Sequence, residues 1–332
     1  MLKNTALVTA VSAAMVLPAQ VMAQDINFEF YGSARIQAET VRPDNTDALG
    51  SYTGMRDAYS RIGFNADYAL TPAINLVGQL ELPLDLANKA VQDPWDQQQD
   101  IRVARIGVEG DFGSLYVGQM WIPYYNAIAF PVDMFSTYYS GFATFSVFRL
   151  SDTISYYSPS FNGFSFAGSW SDDKGEDGDD RIQLTGSYSI GDTTLSVGLD
   201  DLNGENNQRI YGASVMHSLG EWYFGAKAEY YSSDIDDSSV YGNDGDTAVN
   251  LFLSYTLGQH TFKGMLASVD NYGGDVFHLG YDFQYTSSLK LFAELYHEEE
   301  TAAITAKRAG NDVFPGAASG GEVFAVGARY DF

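Results

Sequence analysis

Apolar and polar residues alternate with a period of two along nearly the whole chain. In the first extended segment Ile26, Phe28, Phe30, Ala34 and Ile36 share one face, with Asn27, Glu29, Ser33, Arg35 and Gln37 on the other. The same division recurs in Ile62, Phe64, Ala66 and Tyr68 against Arg61, Asn65 and Asp67. It returns in Phe277, Leu279, Tyr281, Phe283 and Tyr285 against His278, Asp282 and Gln284. The last segment places Phe324, Val326, Ala328, Tyr330 and Phe332 on one face. An all-β chain is predicted. A soluble sandwich alternates in the same way, so the period by itself leaves sandwich and membrane barrel open.

The connections separate them. Short links at 69–72, 110–113, 158–163, 191–192, 219–220, 257–259 and 286–288 alternate with longer ones at 41–55, 87–100, 119–149, 171–180, 203–208, 232–246, 271–274 and 299–319. Two unlike ends of this kind belong to an up-and-down transmembrane antiparallel β-barrel, and the segments between the connections number about sixteen. Within the mature chain no apolar run is long and unbroken enough to cross a bilayer as a helix, so a membrane crossing here is made by strands.

Stretch 119–149 is the exception to the alternation. Residues 112–132 carry no charge, yet Gly113, Gly118, Pro123, Asn126 and Pro131 break any helix. So apolar a loop must be covered, and the interior of the closed sheet can cover it. An inward-folded third loop is therefore expected, lined by Tyr124, Tyr125, Phe130, Phe135, Tyr138 and Tyr139, which pack on the wall and narrow the opening. Pinning to the wall is the favoured role for these rings, and a stacking track for sugar rings is the alternative.

Composition adds export and charge. Residues 1–23 carry Lys3, an apolar run at 6–17 and Val21-Met22-Ala23, the pattern of a secretory signal peptide, which leaves 24–332 as the mature barrel. The net charge is −25, and removing Lys3 makes it one unit more negative. Nucleic acid is excluded as a partner on that charge. The chain has no cysteine, so it has neither disulfide nor thiolate metal site. The acidic run 172–180 fails the EF-hand spacing, since the third ligand position from Asp173 is Gly175 and the twelfth is Leu184. A solvated loop, or loose divalent bridging to lipopolysaccharide, fits it better. His217, His260, His278 and His297 are scattered and no Gly-x-Ser-x-Gly elbow accompanies them, which argues against an enzyme. Nothing calls for a cofactor.

Several stretches together resemble the Gram-negative trimeric general porins: Tyr31-Gly32-Ser33, 60–64, 102–119 and 149–164. The likeness is strongest over 100–170 and includes the terminal Phe332, which in that family is read by the barrel-assembly machinery. It implies a sixteen-stranded homotrimer in the outer membrane of a Gram-negative bacterium, passing ions and small hydrophilic solutes. Carried over residue by residue, it places Arg61, Arg102 and Arg149 in a row on the lumen wall, opposite acids of the third loop. Arg35 extends that row by alternation or pairs with a neighbouring acid.

The chain departs from the family pattern in three places. The Pro-Glu-Phe-Gly-Gly signature is absent, Asp133 is the one acid between Asp111 and Asp152, and Gln119 stands where many relatives carry arginine. Alternation also turns Arg105 away from Arg102, towards the outside and a subunit interface. Loop 87–100, with Trp95, is expected to reach a neighbouring subunit. A net basic constriction under acidic loops 171–180 and 232–246 implies a modest cation preference in dilute salt.

Overall fold

The computed structural model describes residues 26–47, 50–88, 101–172, 180–202, 207–234, 242–270, 273–300, 303–304 and 320–332. The expected signal peptide at 1–23 and Trp95 lie outside them. Strand β1 (Asn27–Pro43) is followed by β2 (Tyr52–Asp57), β3 (Ser60–Thr71), β4 (Ile74–Leu84), β5 (Val103–Gly110) and β6 (Gly113–Trp121). After the third loop come β7 (Arg149–Tyr157), β8 (Phe164–Ser171), β9 (Arg181–Ile190), β10 (Thr193–Asp201), β11 (Arg209–Leu219) and β12 (Trp222–Ser232). The wall finishes with β13 (Thr247–Leu257), β14 (His260–Val269), β15 (Gly274–Gln284), β16 (Leu289–Glu298) and β17 (Gly321–Asp331).

Neighbours in sequence pair antiparallel, and β17 closes on β1 from Ser33↔Asp331 to Pro43↔Gly321. Both β2 and β3 pair with β1, so these two segments form one span and the barrel has sixteen. The interruption is a bulge: Ser33 faces Arg61 and Ile36 faces Asp57, which sets residues 58–60 against 34–35. Tyr59 takes a left-handed φ of 66° there, strained for a bulky residue, and its ring enters the lumen cavity. At the seam the Gly32 amide donates to the Phe332 carbonyl at 2.8 Å and the Phe332 amide to the Gly32 carbonyl at 3.1 Å. The terminal residue thus completes the ladder.

The alternation resolves as a barrel rather than a sandwich. Ile106, Val117, Leu195, Val197, Leu251, Leu266 and Leu295 face outward and are exposed, while charged Glu39, Glu81, Lys227, Glu229, Lys263 and Glu294 are buried inside. Only a sheet with lipid outside and water within keeps that inversion. The third loop occupies part of the interior as a π-helical turn (Tyr125–Ala129) and two 3₁₀ turns (Phe130–Val132 and Tyr139–Phe142). Tyr124, Ile128, Val132, Phe135 and Tyr139 pack there with Ile210, Tyr231, Phe252, Met265 and Tyr296 of the wall. Each such side chain withdrawn from water contributes about 1.5–3 kcal/mol, enough together to hold an uncapped loop in place.

Small residues on the wall make the room. A Cβ on Gly225 would collide with the Pro131 carbonyl oxygen, and one on Gly212 with the Tyr124 hydroxyl. Gly225→Val should therefore lift the loop from β12, at a packing cost of about 1–3 kcal/mol. Single-channel recordings of this variant are expected to show a larger and noisier conductance; traces identical to those of the parent would contradict the packing.

Candidate pore constriction

A carboxylate enclosed in a barrel must be supplied with donors, and the third loop supplies them. Glu294 of β16 accepts from the Ser136 amide at 2.7 Å, the Thr137 amide at 3.0 Å and the Thr137 hydroxyl at 2.6 Å. Glu229 of β12 accepts from the Phe145 amide at 3.0 Å, the Thr144 hydroxyl at 2.8 Å and the Tyr124 hydroxyl at 3.2 Å. Two lysines join wall acids to loop carbonyls. Lys227 Nζ reaches Glu229 and the Ala143 carbonyl, both at 2.8 Å, and Lys263 Nζ reaches Glu294 at 3.3 Å and the Met134 carbonyl at 3.2 Å. Tyr139 donates to Glu39, and the Ser146 hydroxyl to Asp200 at 2.9 Å. His278 stacks on Phe135 at 3.6 Å between ring centres and touches the Ser140 hydroxyl at 3.0 Å.

None of these wall anchors was singled out from the sequence. The available signal was Lys227 and Glu229 two apart at polar positions of one strand, a placement that puts both charges inside.

On the opposite wall the loop borders a cavity of about 350 Å³. Arg61 (β3), Arg102 (just before β5) and Arg149 (the first residue of β7) line it together, facing Tyr125, Phe130, Asp133 and Tyr138 of the loop. Three guanidiniums this close would repel one another, and two things offset it. Glu81 lies 2.8 Å from Arg102 Nε and 3.8 Å from Arg61 Nε. The Arg149 guanidinium sits 4.6 Å from the centre of the Trp121 ring, and Arg102 lies 5.9 Å from those of Trp121 and Tyr59. Gln119 donates to the Ile101 and Arg102 carbonyls and so fixes the backbone that carries Arg102.

The other expected residues divide. Tyr125, Phe130 and Tyr138 face the cavity, whereas Tyr124, Phe135 and Tyr139 are buried against the wall. Arg35 does not extend the row on the open side: it is buried beneath the loop, donating to the Tyr138 hydroxyl and, at 2.6 Å, to the Ser33 hydroxyl. Asp133 shares the cavity with the arginines but accepts from the Tyr125 hydroxyl at 2.8 Å. Arg105 corrects the outward expectation. Its guanidinium lies 4.2 Å from the Tyr116 ring centre, in a polar recess with Asn65, Asp67, Gln79 and Glu109. The regular pleat begins only at Val103, so Arg102 sits off it and both arginines reach the lumen. Of the acidic mouth, residues 173–179 and 235–241 lie outside the described residues, as do 89–100 of the loop expected at a neighbour.

A family model described as Gram-negative porin matches residues 8–303. The chain belongs to the Gram-negative porin family. The family is one of outer-membrane channels rather than enzymes, and the barrel with its tucked loop is that of a porin. Among curated relatives, a monosaccharide porin from a Halomonas species is 24% identical over 312 residues, covering 83% of this chain and 82% of the relative. The chitoporin of Vibrio furnissii is 28% identical over 230 residues, covering 67% and 60%. Among solved structures, the anion-selective porin from Comamonas acidovorans superposes with a TM-score of 0.73 at 17% identity, over 93% of this chain and 100% of that one. Salmonella typhi OmpF gives 0.70 at 15% identity, over 92% and 97%. At such identities the structures share the fold.

Two loop groups of this porin titrate in the working range. Burial raises the Asp133 carboxyl to about 6, with the Tyr125 hydrogen bond and Lys227 opposing it. Burial also acts to raise the Tyr138 phenol, but Arg35, Arg61 and Arg329 outweigh it and bring the group down to about 7. Both gain a proton as pH falls through those values, and each protonation makes the cavity more positive. Reversal potentials under a salt gradient should therefore shift toward anions as pH is lowered through 7 and then 6. Asp133→Asn should abolish the lower step and Tyr138→Phe the upper; a parent protein with flat selectivity across that range would refute the assignment.

Proposed function

We propose that this porin is a passive diffusion channel for ions and small hydrophilic solutes, with its constriction formed by Arg61, Arg102 and Arg149 against the third loop. The observation that carries the reading is the loop held inside the barrel by buried Glu229 and Glu294, with a cavity beside the arginines on the opposite wall. A basic wall facing loop oxygens creates a transverse field that orients dipolar solutes, and the ring of side chains sets the size limit. Asp133 and Tyr138 supply the loop's share of that ring, with Arg35 fixing Tyr138 from behind.

Charge at two depths sets the selectivity. The arginines act on an ion at contact, whereas the acidic loops at the mouth act through about 10 Å of solution at 0.1 M salt and about 3 Å at 1 M. The whole chain carries −25, so dilute salt gives a modest cation preference that shrinks as salt is raised. Export by cleavage after 1–23, barrel insertion through the terminal Phe332, contact with lipopolysaccharide and assembly as a homotrimer complete the reading. A Vibrio cholerae OmpT structure of similar fold is described as a trimer form. A substrate-specific sugar channel is the second reading, favoured by the cavity-facing rings of Tyr125, Phe130 and Tyr138 and by the names of the Halomonas and Vibrio relatives.

The test is reconstitution in planar bilayers, with reversal potentials read at two ionic strengths. Conductance with a cation preference in the dilute pair is expected. Absence of conductance would overturn the channel, and anion preference in dilute salt would show that the arginine wall outweighs the mouth. Arg149→Ala should widen the passage and raise the cation preference, and an unchanged reversal potential would remove Arg149 from the constriction.

A further inference from the structure

The cavity beside the arginines is unusual for a simple sieve. Its lining is mostly aromatic, its volume of about 350 Å³ falls in the range of small-molecule sites, and two of its tyrosines are held in strained backbone. Tyr59 has φ 66° on the bulge of the second span, and Tyr138 has φ 59° in the loop; their rings meet edge to face at 5.2 Å, side by side in the cavity lining. Left-handed backbone at a bulky residue costs on the order of 1–3 kcal/mol and persists where the surrounding structure enforces it, which happens preferentially at ligand sites. Here the strain delivers two hydroxyl-bearing rings to one spot, where glycine or asparagine would serve the backbone better.

The charges at that spot are unequal. Arg61, Arg102 and Arg149 stand against Glu81 and Asp133, and Arg35 balances Tyr138 where that phenol is ionised, so one positive charge is in excess once all three acidic groups have lost their protons. A single carboxylate on a solute neutralises it. The acceptors also have a preference: Asp133 Oδ1 has no hydrogen-bond partner and lies beneath Gly141 at the cavity edge, where a solute hydroxyl reaches it as the Gly141 turn gives way. A ring rich in hydroxyls satisfies such an acceptor, whereas a plain aromatic acid leaves it without a donor. Carbon-bound hydrogens on a sugar face pack against aromatic rings, and guanidiniums hold carboxylates in a planar fork.

We propose that the constriction is a binding site for a carboxylated sugar ring, a hexuronate or the end of a short uronate chain, with Arg61, Arg102 and Arg149 taking the carboxylate, Tyr59 and Tyr138 the ring, and Asp133 a hydroxyl. This rests on the reading of the protein as a channel and names the solute class that dwells in it. Nothing covalent happens; the solute lingers and then passes. Because the excess charge is one, the site favours a single carboxylate at the constriction over none. Because the walls are rings, it favours a closed pyranose over an open chain.

The test uses the full mature porin in planar bilayers at fixed potassium chloride and fixed ionic strength. Sodium glucuronate, glucose, sodium gluconate and sodium benzoate are added separately, and current interruption is read against concentration. Glucuronate is expected to interrupt half the current at a concentration about tenfold below that of glucose, gluconate or benzoate. In Arg149→Gln the advantage of glucuronate over glucose, read as a ratio within that variant, should fall to about threefold or less. Tyr59→Leu should weaken glucuronate and glucose together. A conducting protein that responds to glucuronate and glucose alike overturns the site without touching the channel, whereas no conductance at all overturns the channel itself. Gluconate equal to glucuronate would overturn recognition of the ring, and benzoate equal to it would overturn recognition of the hydroxyls. The comparison of solutes on the parent protein holds even where a variant fails to fold.

Discussion

An ionised carboxylate cannot stay buried without donors, and the interior of this barrel buries several. Glu229 and Glu294 are the decisive ones. Each lies within a wall where backbone donors are already spent on the strand ladder, so its bonds must come from elsewhere. The third loop brings amides of Ser136, Thr137 and Phe145 to them, and Lys227 and Lys263 reach both the acids and the loop carbonyls. Removing either side leaves the other unsatisfied, at a cost of about 3–5 kcal/mol for a buried charge stripped of its partner. Loop and wall therefore hold each other, although the loop lacks both charge and regular structure over most of its length.

The asymmetry of the pore follows from that. Acids and lysines that face the loop are consumed in fixing it and present little charge to a passing ion. The arginines on the other side, with Glu81 and the rings of Tyr59 and Trp121, remain around the open cavity. A chain that is acidic overall thus lines the cavity beside its third loop with three arginines. Among the described acids, Glu229 and Glu294 lie beneath the loop and Glu81 pairs with Arg61 and Arg102.

The barrel itself was plain in the sequence because a period of two and an alternation of short and long connections are local patterns. Loop inwardness was legible too, since 112–132 has no charge and too many breaks for a helix. Arg61, Arg102 and Arg149 rest on a family likeness, and the structure brings them to one cavity. What stayed hidden depends on phase and depth. Arg105 was assigned by counting the pleat through Arg102, but the pleat starts at Val103. Tyr59 escaped because its bulge shifts the phase between β2 and β3, a shift visible only as exposed Met55 and Ile62 differing in parity. Arg35 was given the right face but not the cover laid over it by Tyr138. Glu229 and Glu294 look like any lumen acid until the loop lies against them.

The central claim is that buried wall acids hold the loop across the lumen. The most direct measurement is size exclusion of neutral polyethylene glycols by single channels of the parent protein and of Glu229→Gln combined with Glu294→Gln. The account predicts that the double variant admits distinctly larger polymers and flickers between conductance levels as the loop leaves the wall. The same cut-off and the same quiet trace in both proteins would contradict it.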